Sequence, residues 1–208
     1  MRTLVIDSAT EACSVALFEG RELIAHEHHV LGRGHAERLV PMIAHLPERG
    51  RAGRIAVSRG PGSFTGVRVG IAAARALALA WNAGLVGYAT HAMIAAMARA
   101  ERGAQPVAVC TRGGHGEWFC AQYDAEGREL FAPASLKPEY AAASLSAALV
   151  AGGEAETLVE RRGAGMAMAL WPDARGFAHL NPEALTSDVA AIYGRAPDAK
   201  PVAARERT

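Results

Sequence analysis

The chain has 208 residues, of which 50% are hydrophobic and 21% are charged. This composition is typical of a globular protein with a hydrophobic core and excludes a disordered chain. The length suits one domain of ordinary size or two small lobes. The formal net charge is only +1, so bulk electrostatics gives no argument for nucleic-acid binding.

The cysteines and the apolar runs bear on the compartment. The sequence contains three cysteines: Cys13, Cys110 and Cys120. This odd, sparse set argues against a disulfide framework and for a reducing compartment. The N-terminus reaches the charged Asp7 too soon for a signal peptide, and the apolar run Val69–Trp81 is too short to span a bilayer. We therefore expect a soluble cytoplasmic protein with no membrane segment.

The N-terminal part of the chain predicts an antiparallel meander followed by a helix. Apolar strands are expected at Leu4–Ile6 and Cys13–Phe18, and a third, Arg21–Val30, follows the hairpin dipeptide Glu19-Gly20. After a glycine-containing break, apolar residues recur at helical spacing from about His35 to Leu46. These elements belong to the first lobe of the predicted fold.

A glycine-rich stretch, residues 58–70, connects the next predicted strand to a long helix. The strand begins near Ile55, and the helix is expected from Val67 to Trp81. Either Ser63 or Thr65 can cap this helix by accepting a hydrogen bond from a free N–H of its first turn. A strand at 85–88 and a helix at 91–102 complete the lobe.

A second series of the same kind begins after residues 103–106. Its predicted elements are strands at 107–110, 117–123, 128–131 and 149–151, helices at 138–145 and 154–162, and a final short helix within 182–193. The repeated order predicts an α/β fold with a mixed β-sheet and flanking helices in each lobe. We divide the chain into an N-terminal lobe, 1–103, a smaller C-terminal lobe, 104–195, and a tail, 196–208.

The long helix is apolar on nearly all sides. Between Val67 and Trp81 only Arg68 and Arg75 are charged. A helix of this kind is buried on more than one side, and in a small lobe the second covering surface can be a partner protein. The alternative is an alanine-rich helix whose outer face is merely made of small residues.

The glycine loop permits two interpretations. Gly60, Gly62 and Gly66 can adopt backbone angles closed to other residues and allow close approach of a phosphate or of another backbone. The spacing fits neither a P-loop, which needs four residues between its glycines and then a lysine, nor GxGxxG. A tight structural turn is therefore the alternative to a phosphate cradle.

The sequence offers no convincing catalytic or metal-binding set. The eight histidines show no HExxH or comparable helical spacing, and Ser63 lies in no GxSxG motif. Asp7 follows a buried strand, where it can be either a catalytic carboxylate or a hydrogen-bonded turn residue. We predict no catalytic residue and no metal site.

Three stretches together resemble the bacterial TsaB (YeaZ) family. They are Ile6 to Leu17, Gly32 to Pro41 and Gly60 to Gly70, and the third is the most specific. The resemblance covers the first lobe and implies the actin-like/Hsp70-like ATPase (ASKHA) fold. It also implies a non-catalytic dimerisation subunit of the machinery that makes N6-threonylcarbamoyladenosine (t6A) in tRNA. The competing interpretation is an autonomous actin-fold, ATP-dependent phosphotransferase; a metallopeptidase is a remote third.

The family resemblance also implies partners. TsaD, which transfers the threonylcarbamoyl group from threonylcarbamoyl-AMP, is expected to bind directly through the first two helices of the first lobe, at about His35 to Leu46 and Val67 to Trp81. TsaE is expected to join this pair of proteins. The substrate tRNAs, which read codons starting with A, are expected to be contacted through the complex, and the isolated chain can pair as a homodimer. ATP and metal are expected to belong to the partner subunits, so no cofactor is predicted here. The predicted interface residues are His35, Arg38, Leu39, Met42, Ile43, Val67, Ile71, Ala74, Arg75 and Ala78.

Departures from nucleotide-binding relatives suggest vestigial loops. Ser8 and Ala9 follow Asp7 where actin-like ATPases have a glycine, and Arg112 stands near the position where many relatives carry an acid. An arginine there would suit an anion but removes a carboxylate that could anchor a metal. TsaD's metal-binding histidine pair has no counterpart here. The predicted vestigial nucleotide-type residues are Asp7, Ser8, Gly60, Gly62, Ser63, Thr65, Gly66 and Arg112.

Overall fold

A computed structural model describes residues 1–194, and the predicted tail, 196–208, lies outside the described residues. The first lobe is built on a mixed sheet of five strands in the order β3-β2-β1-β4-β5, with β1 to β3 antiparallel and β1, β4 and β5 parallel. Its elements are β1 (Arg2–Asp7), β2 (Ala12–Glu19), β3 (Glu22–Val30), α1 (His35–His45), β4 (Arg54–Ser58), α2 (Phe64–Trp81) and β5 (Gly84–Tyr88).

The second lobe repeats this plan. Its sheet has the order β10-β9-β6-β7-β8, so an antiparallel meander is again extended by two parallel strands. Helix α3 (Thr90–Arg102) leads into this lobe, whose own elements are β6 (Val107–Arg112), β7 (Trp118–Tyr123), β8 (Glu129–Leu136), α4 (Pro138–Ser144), β9 (Leu149–Ala151), α5 (Ala155–Arg162) and β10 (Met166–Met168). The predicted duplication of a meander followed by helices is confirmed.

The helix that is covered on two sides is α3, not α2. One side of α3 packs through Met93 against the first sheet, and the other packs through Ile94 and Ala98 against the second sheet. By contrast, α2 covers only one face of the first sheet and leaves its outer side open, with Leu79 86% exposed. The sequence analysis assigned the second covering surface of α2 to a partner protein, and that assignment stays a prediction.

The end of the described chain returns to the first lobe. A 3-10 helix at Ala174–His179 packs against α3 and β1 to β3, and the backbone N–H of Ala174 donates to Ser14 Oγ at 2.9 Å. Within 182–193 only Pro182–Ala184 is helical, as a second 3-10 turn. The lobe division at residue 103 remains a prediction, but residues after β10 belong spatially to both sheets.

Candidate functional site

The helices α1 and α2 lie side by side on the outer face of the first sheet. Their inward side chains form one core cluster with strands β1, β2 and β4. Leu39 and Ala74 are completely inaccessible to solvent in this cluster. The apolar stripe recognised in the sequence of α1 is thus the stripe that the protein's own sheet covers.

The residues predicted for the partner interface therefore need correction, while the interface itself stays a prediction. Arg38 and Arg75 are exposed. The other eight are buried within the described chain, at 9% exposure or less: His35, Leu39, Met42, Ile43, Val67, Ile71, Ala74 and Ala78. Sequence periodicity identified the apolar face of each helix but could not show what covers it.

An apolar surface remains on the opposite sides of the same helices. On α1 the side chain of Val40 is 60% exposed, and on α2 that of Leu79 is 86% exposed. Small residues at helical spacing, Ala72 and Ala76, separate Leu79 from the start of α2 and are also exposed, as is Ala44 beside Val40. We call Val40, Ala44, Ala72, Ala76 and Leu79 the outer helix surface. An exposed apolar surface on a folded protein is a candidate interaction site.

The glycine loop is filled by the protein's own backbone. A Cβ atom on Gly62 would overlap the carbonyl group of Ala9, and one on Gly66 would overlap the carbonyl oxygen of Ser8. The backbone N–H of Ser63 donates to Ala9 O at 2.6 Å, and Ser8 Oγ donates to Gly66 O at 2.9 Å. The glycines therefore allow two loops of the same lobe to approach closely, which favours the structural-turn interpretation over a phosphate cradle.

The start of α2 is capped by Ser63 rather than Thr65. Ser63 Oγ accepts a hydrogen bond from the N–H of Gly66 at 3.3 Å, whereas Thr65 lies exposed in the first turn. The cap also explains why α2 begins at Phe64, three residues before the predicted start. Gly60, with a φ of +90°, precedes this turn and accepts a hydrogen bond from Thr90 N–H at 2.8 Å.

Asp7 is a buried turn carboxylate. Its Oδ1 atom accepts from the N–H of Ala9 at 3.0 Å, and its Oδ2 atom lies 3.2 Å from the hydroxyl of Tyr88, which can also donate to Ile6 O at 3.0 Å. Burial raises the pKa of Asp7 to about 6, although both hydrogen bonds oppose the rise. A carboxylate with no exposed surface does not reach the cleft described next, so the turn interpretation is favoured here as well.

A cleft separates the two lobes. From the first lobe it is lined by Thr10, Glu11, Gly32, Gly62, Ser63 and Phe64, and from the second by Arg112, Gly113, Gly114 and Phe119. Of the predicted vestigial residues, Gly62, Ser63 and Arg112 are brought together there, whereas Asp7, Ser8 and Gly66 are buried and do not line the cleft. Arg112 is exposed and its Nε lies 3.6 Å from a carboxylate oxygen of Glu154. Within residues 1–194 no group of three or more His, Cys, Asp or Glu side chains is placed to hold a metal ion.

Sequence reasoning missed a cluster of aromatic and arginine side chains beside this cleft. The guanidinium carbon of Arg68 lies 3.6 Å from the centroid of the Phe64 ring, and Arg68 Nε and Nη2 donate to the Tyr193 hydroxyl at 3.2 and 3.1 Å. The pair Arg68 and Tyr193 is 125 residues apart in the chain, so no local pattern could have joined them.

The length and composition of α2 also satisfy a membrane-span criterion. The helix has 18 residues with a mean hydropathy of 1.3, and 33% of them are buried. The sequence analysis judged the apolar run Val69–Trp81 too short to span a bilayer, but the helix that contains it is long enough. One such helix is weak support for a membrane span, because core helices pass the same test. Its inner side is in fact packed on the first sheet.

The two lobes have the same order of strands in their sheets, and a cleft lies between them. The protein is therefore an α/β protein of the ASKHA fold, as predicted. The ethanolamine utilization protein EutJ from Carboxydothermus hydrogenoformans shares this fold, with a TM-score of 0.52 and 12% identity over 87% of this chain and 90% of that chain.

Nearer relatives establish the family. The structure of YeaZ from Pseudomonas aeruginosa matches with a TM-score of 0.75 and 31% identity over 92% of this chain and 99% of that chain. The tRNA threonylcarbamoyladenosine biosynthesis protein TsaB of Escherichia coli K12 is 38% identical over 148 residues, 67% of this chain and 64% of that protein. A family model described as "TsaD: tRNA N6-adenosine threonylcarbamoyltransferase" matches residues 28–165. The chain belongs to the TsaB/YeaZ family. Its alignment spans slightly less than two thirds of the length of the E. coli relative.

Proposed function

We propose that this protein is a non-catalytic scaffold subunit in the synthesis of t6A in tRNA. The observation that carries the proposal is the outer helix surface: an apolar face on two packed helices, with Leu79 86% exposed, that the protein does not cover itself. The printed names of the E. coli and Haemophilus influenzae relatives, at 38% and 44% identity, support a place in threonylcarbamoyladenosine biosynthesis.

The glycine loop, which is filled by the protein's own backbone, supports a non-catalytic role for this protein. A phosphate bound to this loop would have to displace the carbonyl groups of Ser8 and Ala9. The Ala9 carbonyl accepts from the Ser63 N–H and packs against Gly62, and the Ser8 carbonyl packs against Gly66. The first-strand carboxylate, Asp7, is inaccessible and engaged in hydrogen bonds. Catalysis is therefore assigned to the partners, which bring ATP and metal.

The proposed direct partner is TsaD, held against the outer helix surface, with TsaE joining the pair. In this scheme TsaD transfers the threonylcarbamoyl group from threonylcarbamoyl-AMP to the adenosine next to the anticodon, in tRNAs that read codons starting with A. The tRNA is met through the complex, and the site of action is the cytoplasm. The same surface supports a homodimer when the protein is alone, because apolar faces of this kind can pair with a second copy.

Size-exclusion chromatography with TsaD from the same organism tests the proposal. The wild-type chain should co-elute with TsaD. Replacing Leu79, the more exposed of the two large side chains of the outer helix surface, with Asp should cost about 2 kcal/mol or more of binding free energy, as at interface hot spots. The matched control is Leu130→Asp, because Leu130 is 59% exposed on β8 of the second lobe. Failure of the folded wild-type proteins to co-elute would remove the scaffold proposal.

The cleft keeps an autonomous phosphotransferase as a second candidate. Gly62, Ser63 and Arg112 face each other across it, which is the arrangement expected if a nucleotide binds between the lobes. Calorimetry of the isolated protein with ATP and Mg²⁺ separates the two candidates. Micromolar binding with turnover would favour the enzyme, and no heat of binding would favour the scaffold.

A further inference from the structure

The last described residues form a strap along the first lobe. We define the strap as residues 186–194, Thr186 to Gly194. It begins at the edge of the first sheet, where Gly87 and Thr186 exchange two backbone hydrogen bonds of 2.8 and 3.0 Å. Further along, the N–H of Ile192 donates to Arg59 O at 2.7 Å. The strap therefore follows the β5 edge and the start of the glycine loop.

Arg59 holds the middle of the strap. Its Nε donates to Ala190 O at 2.9 Å, and its Nη2 donates to Asp188 Oδ2 at 3.1 Å. The Arg59 side chain is only 18% exposed, although Asp188 is 64% exposed. A guanidinium group that binds a carbonyl and a carboxylate at fixed angles restrains both in position.

The long helix holds the strap at two more points. Arg68 donates two hydrogen bonds to the Tyr193 hydroxyl, and Arg75 Nη2 lies 3.5 Å from Val189 O. Val189 and Ala191 pack against the core cluster of the first lobe. The two charges of α2 are therefore used to fasten the strap along the flank of the helix.

The strap ends on the second lobe. The N–H of Ser135 on β8 donates to Gly194 O at 2.8 Å. A Cβ atom on Gly194 would lie 2.6 Å from Cδ1 of Phe119 on β7, so this glycine sits directly against the second sheet. Phe119 also lines the interlobe cleft, as does Phe64, whose ring lies 6.0 Å from that of Tyr193. The strap thus crosses from one lobe to the other beside the cleft.

The strap adds a contact between the lobes on the cleft side. Away from it, the lobes are already joined by α3, which packs against both sheets, and by the 3-10 helix Ala174–His179, which packs against α3 and the first sheet. Hinge closure of two-lobed proteins depends on a few connecting residues that absorb changes in φ and ψ. The additional non-covalent contact that the strap makes on the cleft side opposes such a rotation. We propose that the strap holds the lobes in one relative orientation, so that the cleft neither opens nor closes around a ligand.

Spin-label distance measurements test this lock without reference to any partner. Labels are attached at Arg33→Cys, next to the cleft-lining Gly32 of the first lobe, and at Gly114→Cys, which lines the cleft from the second lobe; the three natural cysteines are buried. The releasing variant is Gly194→Val, because its side chain would collide with Phe119. The matched control is Gly53→Val, whose Cβ meets only Met1 within 4 Å. A second releasing variant, Arg59→Gln with Arg68→Gln, detaches the strap from the first lobe instead.

If the strap fixes the lobes, the distance between the two labels should be narrowly distributed in the labelled chain with an intact strap and in the Gly53→Val control. Adding ATP and Mg²⁺ should not change this. Both releasing variants should broaden it. In Gly194→Val, hydrogen exchange of the Ser135 amide should become about tenfold faster, as expected when a single hydrogen bond is lost. A broad distribution in the unchanged chain, or an equally narrow one in both releasing variants, would overturn the proposal.

Discussion

The N–H of Ser63 donates a 2.6 Å hydrogen bond to the carbonyl oxygen of Ala9. This contact joins the turn after β1 to the glycine loop before α2, so that the two loops pack directly against each other. In a nucleotide-binding protein with glycine-rich phosphate loops, that space would be left for the ligand. Here the loop positions α2 on the first sheet and, through α2, the outer helix surface.

Close packing of this loop makes Gly66 intolerant of a side chain. Gly66→Ala should lower the free energy of unfolding by about 1 to 3 kcal/mol, the usual cost of overpacking, because the new methyl group overlaps Ser8 O. Urea denaturation measures the change. Gly114→Ala is the control, since nothing lies within 4 Å of its Cβ position, and it should stay within about 0.5 kcal/mol. Equal stabilities of the two variants would refute the filled-loop description.

The cap of α2 gives a second matched pair. Ser63→Ala removes the hydroxyl that accepts the Gly66 N–H and should cost about 1 kcal/mol of stability. Thr65→Ala, two residues on and exposed, should change stability by less than about 0.5 kcal/mol. Thermal unfolding of both variants in one buffer checks the order. A larger loss of stability in Thr65→Ala than in Ser63→Ala would show that Ser63 is not the capping residue.

The neighbours Leu39 and Val40 on α1 separate core from surface. Leu39 is inaccessible and Val40 is 60% exposed. Leu39→Ala should destabilise the fold by about 2 to 5 kcal/mol because it leaves a cavity. Val40→Asp should leave stability within about 0.5 kcal/mol while weakening the proposed partner contact. Unfolding and partner titration of both variants form the test, and the reverse pattern would contradict the assignment of faces.

The buried carboxyl of Asp7 makes stability depend on pH. Its pKa is raised to about 6, above an ordinary 3.8, so between these values the folded state binds the proton more tightly than the unfolded state. Stability contributed by this group therefore falls as the pH rises from about 4 to 6, by roughly 3 kcal/mol in total. Asp7→Asn should be more stable at pH 7 and lose this fall. Urea titrations at several pH values measure it; an unchanged pH profile would exclude the burial effect.

His91 acts in the opposite direction. Burial lowers its pKa to about 3 from 6.5, with Nε2 held 2.9 Å from Thr111 Oγ1. The unfolded state therefore takes up the proton first, and stability is lost as the pH falls below about 6.5. In Asp7→Asn the loss of stability at acid pH that is due to His91 should appear without the opposing contribution of the Asp7 carboxyl group. The double variant with His91→Gln should be flatter across pH 4 to 6 than Asp7→Asn, and a persisting slope would assign the acid loss elsewhere.

The sequence predicted the order of the elements well because apolar periodicity and glycine punctuation are local. Strands β1 and β2, the meander of each lobe and both helices of the first lobe follow from such patterns. Sequence periodicity was less informative where tertiary contacts decide. It identified the apolar faces that carry Leu39 and Ala74 but could not show that the first sheet covers them, nor that α3 lies between the two sheets. The contacts of Arg59 and Arg68 with the strap join residues more than one hundred positions apart, beyond any local pattern.

The central claim is that this protein contributes a surface and not chemistry to t6A synthesis. The direct measurement is t6A formation on unmodified tRNA, reconstituted with TsaD, TsaE and the remaining enzymes of the pathway from the same organism. We predict that omitting this protein or using Leu79→Asp abolishes product, whereas Asp7→Asn and Ser63→Ala retain the wild-type rate. Loss of product in the two loop variants with full activity in Leu79→Asp would contradict the account.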